Sequence, residues 1–549
     1  MRCGLFWALA LVLLLFIGSS ATTITTPSST LLKIISNTCQ NTRFPSLCLR
    51  SISDFPGVSA IGTERDVVHV SINMTIRRVG KALYGVSTVA NTNMDQLSRS
   101  AYDDCMELLD DTSYHLSRSL EVVSPTSTSA SSEDDVHTWL SAAVTNQDTC
   151  MESLEQVPGG KIKNQMMAHV RELSELVTNC LTIFANTRKN KEFDGIPIQN
   201  KRRKLMEFPS WFGRKERRLL QSPASTMTPD FVVSQDGTGT HTTIKAAVKS
   251  APKNSTQRII IYIKAGRYEE EYVKLGRKKQ NIMLMGEGKG QTIISAGRSV
   301  FDNFTTFHTA TVAATGCGFI ARDLTIENWA GPEKHQAVAL RVGADHAVVY
   351  RCNVIGYQDS LYVHSLRQFY RECDIYGTVD FIFGNAAVVF QDCNIWARKP
   401  MAGQKNTITA QNRKDPNQNT GISIHGCRIY PAADLKPVVS EFPTYLGRPW
   451  KLYSRTVYML SYISDHVHQD GWLPWNADFA LDTLYYGEYM NDGPGAGLSN
   501  RVTWPGYKVI TLPEEADKFT VAEFITGSSW LPSTGVSFLA GLNMGSLQP

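Results

Sequence analysis

The sequence predicts two folds in series: an all-α four-helix bundle over residues 28–190, and an all-β right-handed parallel β-helix over 229–549. Three observations carry this expectation. Met166, Val170, Leu173, Val177, Cys180 and Phe184 recur at intervals of 4, 3, 4, 3 and 4, the apolar stripe of an amphipathic helix. From about residue 230 that period fades. Short β-rich runs punctuated by Gly and Asn replace it, with no helix long enough to alternate with strands in a doubly wound sheet. Within this second half, like residues return every 20–22 positions: Gln336 to Gln358 is 22, Asp359 to Asp380 is 21, and Cys352, Cys373 and Cys393 are 21 and 20 apart. In strand-rich sequence such a beat corresponds to one coil of a solenoid per repeat.

Taken in order, the chain opens with the pattern of a secretion signal over residues 1–21: Arg2, an apolar run from Leu5 to Ile17, then Ser19-Ser20-Ala21. The run is short for a bilayer span, so the mature chain is expected outside the cell with no membrane anchor. A net charge of +4 is too small to argue for nucleic acid. In the bundle, Tyr102, Cys105, Leu109, Leu116 and Leu120 suggest a second stripe. Ser132 is placed to cap the next helix, and Trp139, Ala143 and Cys150 to share one face of it. Secretion permits disulfides. Cys39 with Cys48 would staple a short hairpin, Cys105 with Cys150 would tie two long helices, and Cys180 would stay free in the core. Asn73, Asn254 and Asn303 begin glycosylation sequons. Residues 191–228 form a basic linker, whose clusters around Arg203-Lys204 and Arg217-Arg218 read as processing sites in an exposed segment.

The second half holds the chemistry. Runs at 258–264, 281–285, 347–350 and 387–390 read as strands, and the tail from Ala516 to Phe524 as a short packing helix. Asp380 interrupts Val-Asp-Phe-Ile-Phe, where a carboxylate is costly to bury unless paired or used. Stacked coils lie about 4.8 Å apart, so Gln336, Gln358, Asp359 and Asp380 should meet on one face. Two carboxyls whose environments split their pKa values can divide the work of nucleophile and acid. Arg448 is the candidate cation for the ionised one, and two amides suit an oxyanion without adding charge. Trp450 and Trp475 offer faces for a sugar ring. No cofactor or metal is called for. His466 and His468 near Asp465 and Asp470 read as a solvated loop, and neither a serine-esterase elbow nor a zinc His-Glu-x-x-His motif is present.

Residues 231–535 resemble the plant pectin methylesterases, through Gln336-Ala-Val-Ala-Leu-Arg-Val342, Gly356-Tyr-Gln-Asp-Ser-Leu361, Gly377-Thr-Val-Asp-Phe-Ile-Phe-Gly384, Asp415-Pro-Asn-Gln-Asn-Thr-Gly421 and Leu446-Gly-Arg-Pro-Trp450. The helical part is similar to the invertase/pectin methylesterase inhibitors, an arrangement known in that family as a pro-region. The resemblance implies Asp380 as nucleophile, Asp359 as proton donor, and Gln358 and Gln336 as stabilisers of the oxyanion. It also implies substrate contacts at Thr306, Gln336, Arg448 and Trp450, and a Cys373–Cys393 disulfide, with Cys393–Cys427 as the alternative. The expected partners are methylated homogalacturonan of the cell wall, a subtilisin-like processing protease and a proteinaceous inhibitor. Ser360 and Trp329 stand where threonines are usual, which bears on subsite preference rather than activity. A glycosidase or lyase on the same β-helix is the enzymatic rival, since glycosidases also use two carboxylates. The non-enzymatic rival is a pectin-binding β domain carrying an inhibitor domain.

Overall fold

The computed structural model describes residues 29–192 and 228–542, apart from 57, 125 and 128. The signal segment and the processing residues Arg203, Lys204, Arg217 and Arg218 lie outside the described residues.

The N-terminal half is helical. A hairpin of α1 (Ser29–Gln40) and α2 (Pro45–Ser53) precedes four long helices: α3 (Glu64–Ser87), α4 (Gln96–Val123), α5 (Glu133–Gln156) and α6 (Lys161–Glu192). Their starts follow local chemistry. Thr63 with Asp66, and Ser132 with Asp135, form capping boxes on α3 and α5, and Asp95 caps α4. The stripe predicted for α6 is buried in the bundle core, together with Cys105, Leu109 and Leu116 of α4. Cys39–Cys48 staples the hairpin, Cys105–Cys150 ties α4 to α5, and Cys180 is a buried free thiol beside Thr75.

One expectation about α5 needs correction. Trp139 does not share the core face of Ala143 and Cys150. It packs instead against Leu366 of the second half, and its Nε1–H donates to Asp345 Oδ2 at 3.2 Å. The polar side of α5 is buried for the same reason. Thr138, Ser141, Thr145 and Thr149 have partners in Asn419, Gln418, Asn385 and His364.

The second half is a parallel β-helix of three sheets with 11, 8 and 7 strands among the described residues. Each coil visits the sheets in turn. One coil runs Ala347–Tyr350, Asn353–Ile355 and Leu361–Val363; the next runs Arg367–Arg371, Asp374–Gly377 and Ile382–Gly384. Pairing is in register, Tyr350 to Arg371 to Gln391 in the first sheet and Leu361 to Ile382 in the third. The corner after the first sheet is turned by one left-handed residue per coil: Asp323, Arg351, Glu372, Asp392, Gly426, Leu460 and Met490, with φ between 47° and 63°. The next residue then points inward, so Leu324, Cys352, Cys373, Cys393 and Cys427 form a buried column.

Cys373 and Cys393 are free thiols, contrary to the disulfide that the resemblance implied, and Cys427 is free as well. Their backbones occupy the same place on adjacent coils, just ahead of the paired residues Asp374 and Asn394. Both thiols lie fully buried in the interior of the coil, where a free cysteine packs as a small apolar group. Their thiols donate to strand carbonyls, Cys373 to Val349 and Arg371 and Cys393 to Gln391.

The outer faces of the first and third sheets are covered. The tail forms three short helices, Pro513–Asp517, Val521–Phe524 and Gly527–Trp530. Val521, Ile525 and Trp530 pack on Ile320, Val348, Phe369 and Val389 of the first sheet. The third sheet turns Leu340, Leu361 and Ile382 inward and presents Tyr362, Phe383 and Ala410 to the helical bundle, whose core they join. Arg341, fully buried on this face, lies over the Phe307 ring at 3.3 Å and 3.8 Å from Glu107 of α4. Around it Lys274 pairs with Glu107, His308 with Asp104, and Arg277 with Asp110 and Asp111.

Candidate active site

Asp359 and Asp380 each precede a third-sheet strand and each adopt a left-handed backbone, φ 62° and 52°. That conformation is uncommon for a residue other than glycine, and strained positions of this kind cluster at functional sites. The Asp359 N–H donates to the Val379 carbonyl at 3.1 Å, and Leu361 pairs with Ile382 two residues on. The two carboxyls therefore issue from adjacent coils toward one cleft of about 590 Å³. Gln336, Gln358, Thr306, Arg448, Trp450 and Trp475 line the same cleft, so every catalytic and substrate position read from the sequence falls in one place.

The environments of the two acids differ. Arg448 grips Asp380 with both prongs, Nε to Oδ1 at 2.8 Å and Nη2 to Oδ2 at 2.7 Å, and the Thr407 hydroxyl donates to Oδ1 at 2.6 Å. Bidentate pairing of this kind is among the stronger hydrogen-bonded contacts of a carboxylate. Burial pulls the Arg448 guanidinium down, but the Asp380 carboxylate outweighs it and holds the guanidinium above its ordinary range. Burial, and then the charge of Asp380, push the Asp359 carboxyl well above the usual range; Arg448 offsets this only in part. One carboxyl is thus clamped between a guanidinium and a hydroxyl, while the other is pushed toward its protonated form.

The Gln358 side-chain oxygen is buried with no hydrogen-bond partner among the described residues, and the same amide carries an N–H₂ donor. The Arg448 guanidinium lies 4.4 Å from the centre of the Trp475 ring, and Trp450 packs on Phe383 at 6.0 Å. Trp475 is 36% exposed, open enough to serve as a platform.

Sequence reasoning missed Thr407 and Lys451. Thr407 lies 27 residues after Asp380, on a lengthened coil where the beat fails. Lys451 directly follows Trp450 and lines the cleft. Two departures noted in the sequence fall elsewhere. Trp329 lies over Gly297, 55% exposed and outside the cleft lining. His466 is not solvated as expected: it is buried, with neither ring nitrogen partnered among the described residues, and desolvation lowers its pKa to about 4. No group of three His, Cys, Asp or Glu able to hold a metal occurs among the described residues.

Fold and site together define a carboxylic ester hydrolase built on a parallel β-helix. The pectinesterase family matches residues 230–528, and the plant invertase/pectin methylesterase inhibitor family matches residues 33–183. The chain belongs to the pectinesterase family and carries an inhibitor-like domain ahead of the catalytic one. The Arabidopsis thaliana protein named "Probable pectinesterase/pectinesterase inhibitor 34" is 62% identical over 515 residues, covering 93% of this chain and 86% of its own. The pectinesterase/pectinesterase inhibitor of Ficus pumila var. awkeotsang is 47% identical over 529 residues, 96% of each chain. Among solved structures, the carrot pectin methylesterase is similar at TM-score 0.57 and 59% identity, covering 58% of this chain and 100% of its own. No described helix is long and apolar enough to cross a membrane.

Proposed function

We propose that the chain removes methyl esters from cell-wall homogalacturonan through an aspartyl acyl-enzyme. The Asp380 carboxylate attacks the C6 ester carbonyl, and the Gln336 and Gln358 amides receive the oxyanion. As the tetrahedral adduct collapses, its C–O bond to the methoxy group breaks and Asp359 gives that oxygen its proton, releasing methanol. Asp359, now a carboxylate, takes a proton from water, and the resulting hydroxide attacks the acyl carbon. The second collapse frees Asp380 and leaves a galacturonate carboxyl group. The observation that carries this reading is the opposed state of the two acids, with Asp380 clamped by Arg448 and Asp359 pushed toward its protonated form. A glycosidase needs two acids as well, but two amides beside them suit an acyl oxyanion better.

The inhibitor-like domain serves as a cover. Thr149, Glu152, Ser153 and Glu155 of α5 line the cleft alongside the catalytic residues and so wall one side of it. Secretion to the cell wall, then cleavage by a subtilisin-like protease at Arg203-Lys204 or Arg217-Arg218, releases the enzyme; sequencing the N-terminus of the secreted protein checks the cut. A separate proteinaceous inhibitor would bind the surface that α5 leaves. Asn254 and Asn303 are exposed in turns and suit glycosylation, whereas Asn73 is half-buried within α3. The carrot chain, matched over its whole length by the catalytic half, supports that half folding alone. The decisive experiment is methanol release from methylated pectin by the full chain, by residues 228–549, and by that fragment carrying Asp380→Asn. The fragment should be active and the other two silent; equal release by fragment and Asp380→Asn removes the nucleophile assignment.

A further inference from the structure

The side chain of Glu152 brings an acid into a cleft built to act on a polymer of uronic acids and their esters. Its Oε1 lies 2.6 Å from Nζ of Lys451, and both side chains are largely buried, 19% and 27% exposed. We propose that Lys451 is a specificity residue that reads a free carboxylate on a sugar neighbouring the ester under attack, and that Glu152 is an internal stand-in for that carboxylate. This rests on the reading of the cleft as a pectin methylesterase site.

Three observations support the assignment. Lys451 sits on the same post-strand segment as Arg448 and Trp450, its Nζ 5.6 Å from the centre of the Trp450 ring, so a sugar stacked on that ring would place its substituents near the ammonium. Of the two cations lining the cleft among the described residues, Arg448 is committed to Asp380 through both prongs. Among the described residues the acids acting on Lys451 all belong to α5, Glu152 first, so when α5 leaves its charge on the cleft wall loses those partners. Finally, the substrate offers only two groups at C6, a neutral methyl ester or a carboxylate. A lysine ammonium distinguishes them by charge alone, because only the carboxylate gives a charge-assisted hydrogen bond.

The test compares residues 228–549 as wild type, Lys451→Gln and Lys451→Arg. The substrates are fully methylated hexagalacturonate and hexamers with a single free carboxyl, moved through each of the six rings. For at least one ring position, wild type should favour the acid-bearing hexamer in kcat/KM by about tenfold, the scale of one charge-assisted contact. Lys451→Gln should bring that ratio close to one, chiefly through KM, and Lys451→Arg should keep it. High salt should erode the wild-type preference. The proposal is overturned if Lys451→Gln lowers both substrates equally, or if the ratio survives in an active Lys451→Gln enzyme. The parent reading fails separately, through an Asp380→Asn fragment that still releases methanol.

Discussion

Trp139 allows docking of the cover to be perturbed apart from folding of the bundle. It is 1% exposed, yet it lies outside the bundle core, pressed on Leu366 of the catalytic half with its N–H on Asp345. Arg118 of α4 covers the ring from its own side at 3.8 Å. A buried tryptophan removes about 150–250 Å² from water. At about 25 cal/mol per Å² that is about 4–6 kcal/mol. Roughly half belongs to contacts within the bundle, which leaves about 2–3 kcal/mol for docking. The lost hydrogen bond adds about 1 kcal/mol, kept modest because Asp345 retains Arg367 at 2.8 Å. Trp139→Ala should therefore weaken association of the two halves by about 10²–10³-fold. The assay uses the full chain with a protease site placed within 193–227, cut and then diluted while methanol release is followed. The variant should gain activity at concentrations 10²–10³ higher than wild type, with helical melting of the bundle little changed. An identical dilution curve for wild type and a folded Trp139→Ala would refute the view that α5 is a docked cover anchored at this residue.

Two further outcomes test the site. Gln358→Ala in residues 228–549 should lower kcat by about 10²–10³ with little change in KM, as expected for a donor engaged only by the oxyanion. Asp359→Asn should abolish turnover but raise the melting temperature near pH 8 by a few degrees. The sign follows from the raised pKa of Asp359: its contribution to stability is fully present below the ordinary carboxyl range and is lost as pH rises through the elevated value. Asparagine never carries the buried charge, so the gap in melting temperature should close toward pH 4, and a gap that persists there would contradict the assignment.

The catalytic set was legible because it lies on the shortest coils. Between Gln336 and Asp380 the chain returns every 21–22 residues, and each return brings an amide or a carboxyl to the same wall. Where coils lengthen, as between Asp380 and Thr407, the period no longer points at the partner. The second face of α5 was not legible for a different reason. Thr138, Ser141, Thr145 and Thr149 are the residues expected on a solvated side, and what buries them lies more than 200 positions away. His466 shows the same limit: polarity suggested water, whereas packing decided the burial. The cysteine column was visible as a rhythm, but a rhythm does not say whether sulfurs converge or merely stack.

Because Asp359 and Asp380 stand at the same place on neighbouring coils, just ahead of paired third-sheet strands, their backbone separation is set by the spacing of the coils, about 4.8 Å. Ester-cleaving geometry is therefore inherited wholesale with the solenoid. The long turns after the second sheet, such as 398–405 and 432–443, can be lengthened or rewritten without moving it. Divergence among such enzymes is then free to act on what the rim admits and on what covers it, while the reacting atoms keep their distance.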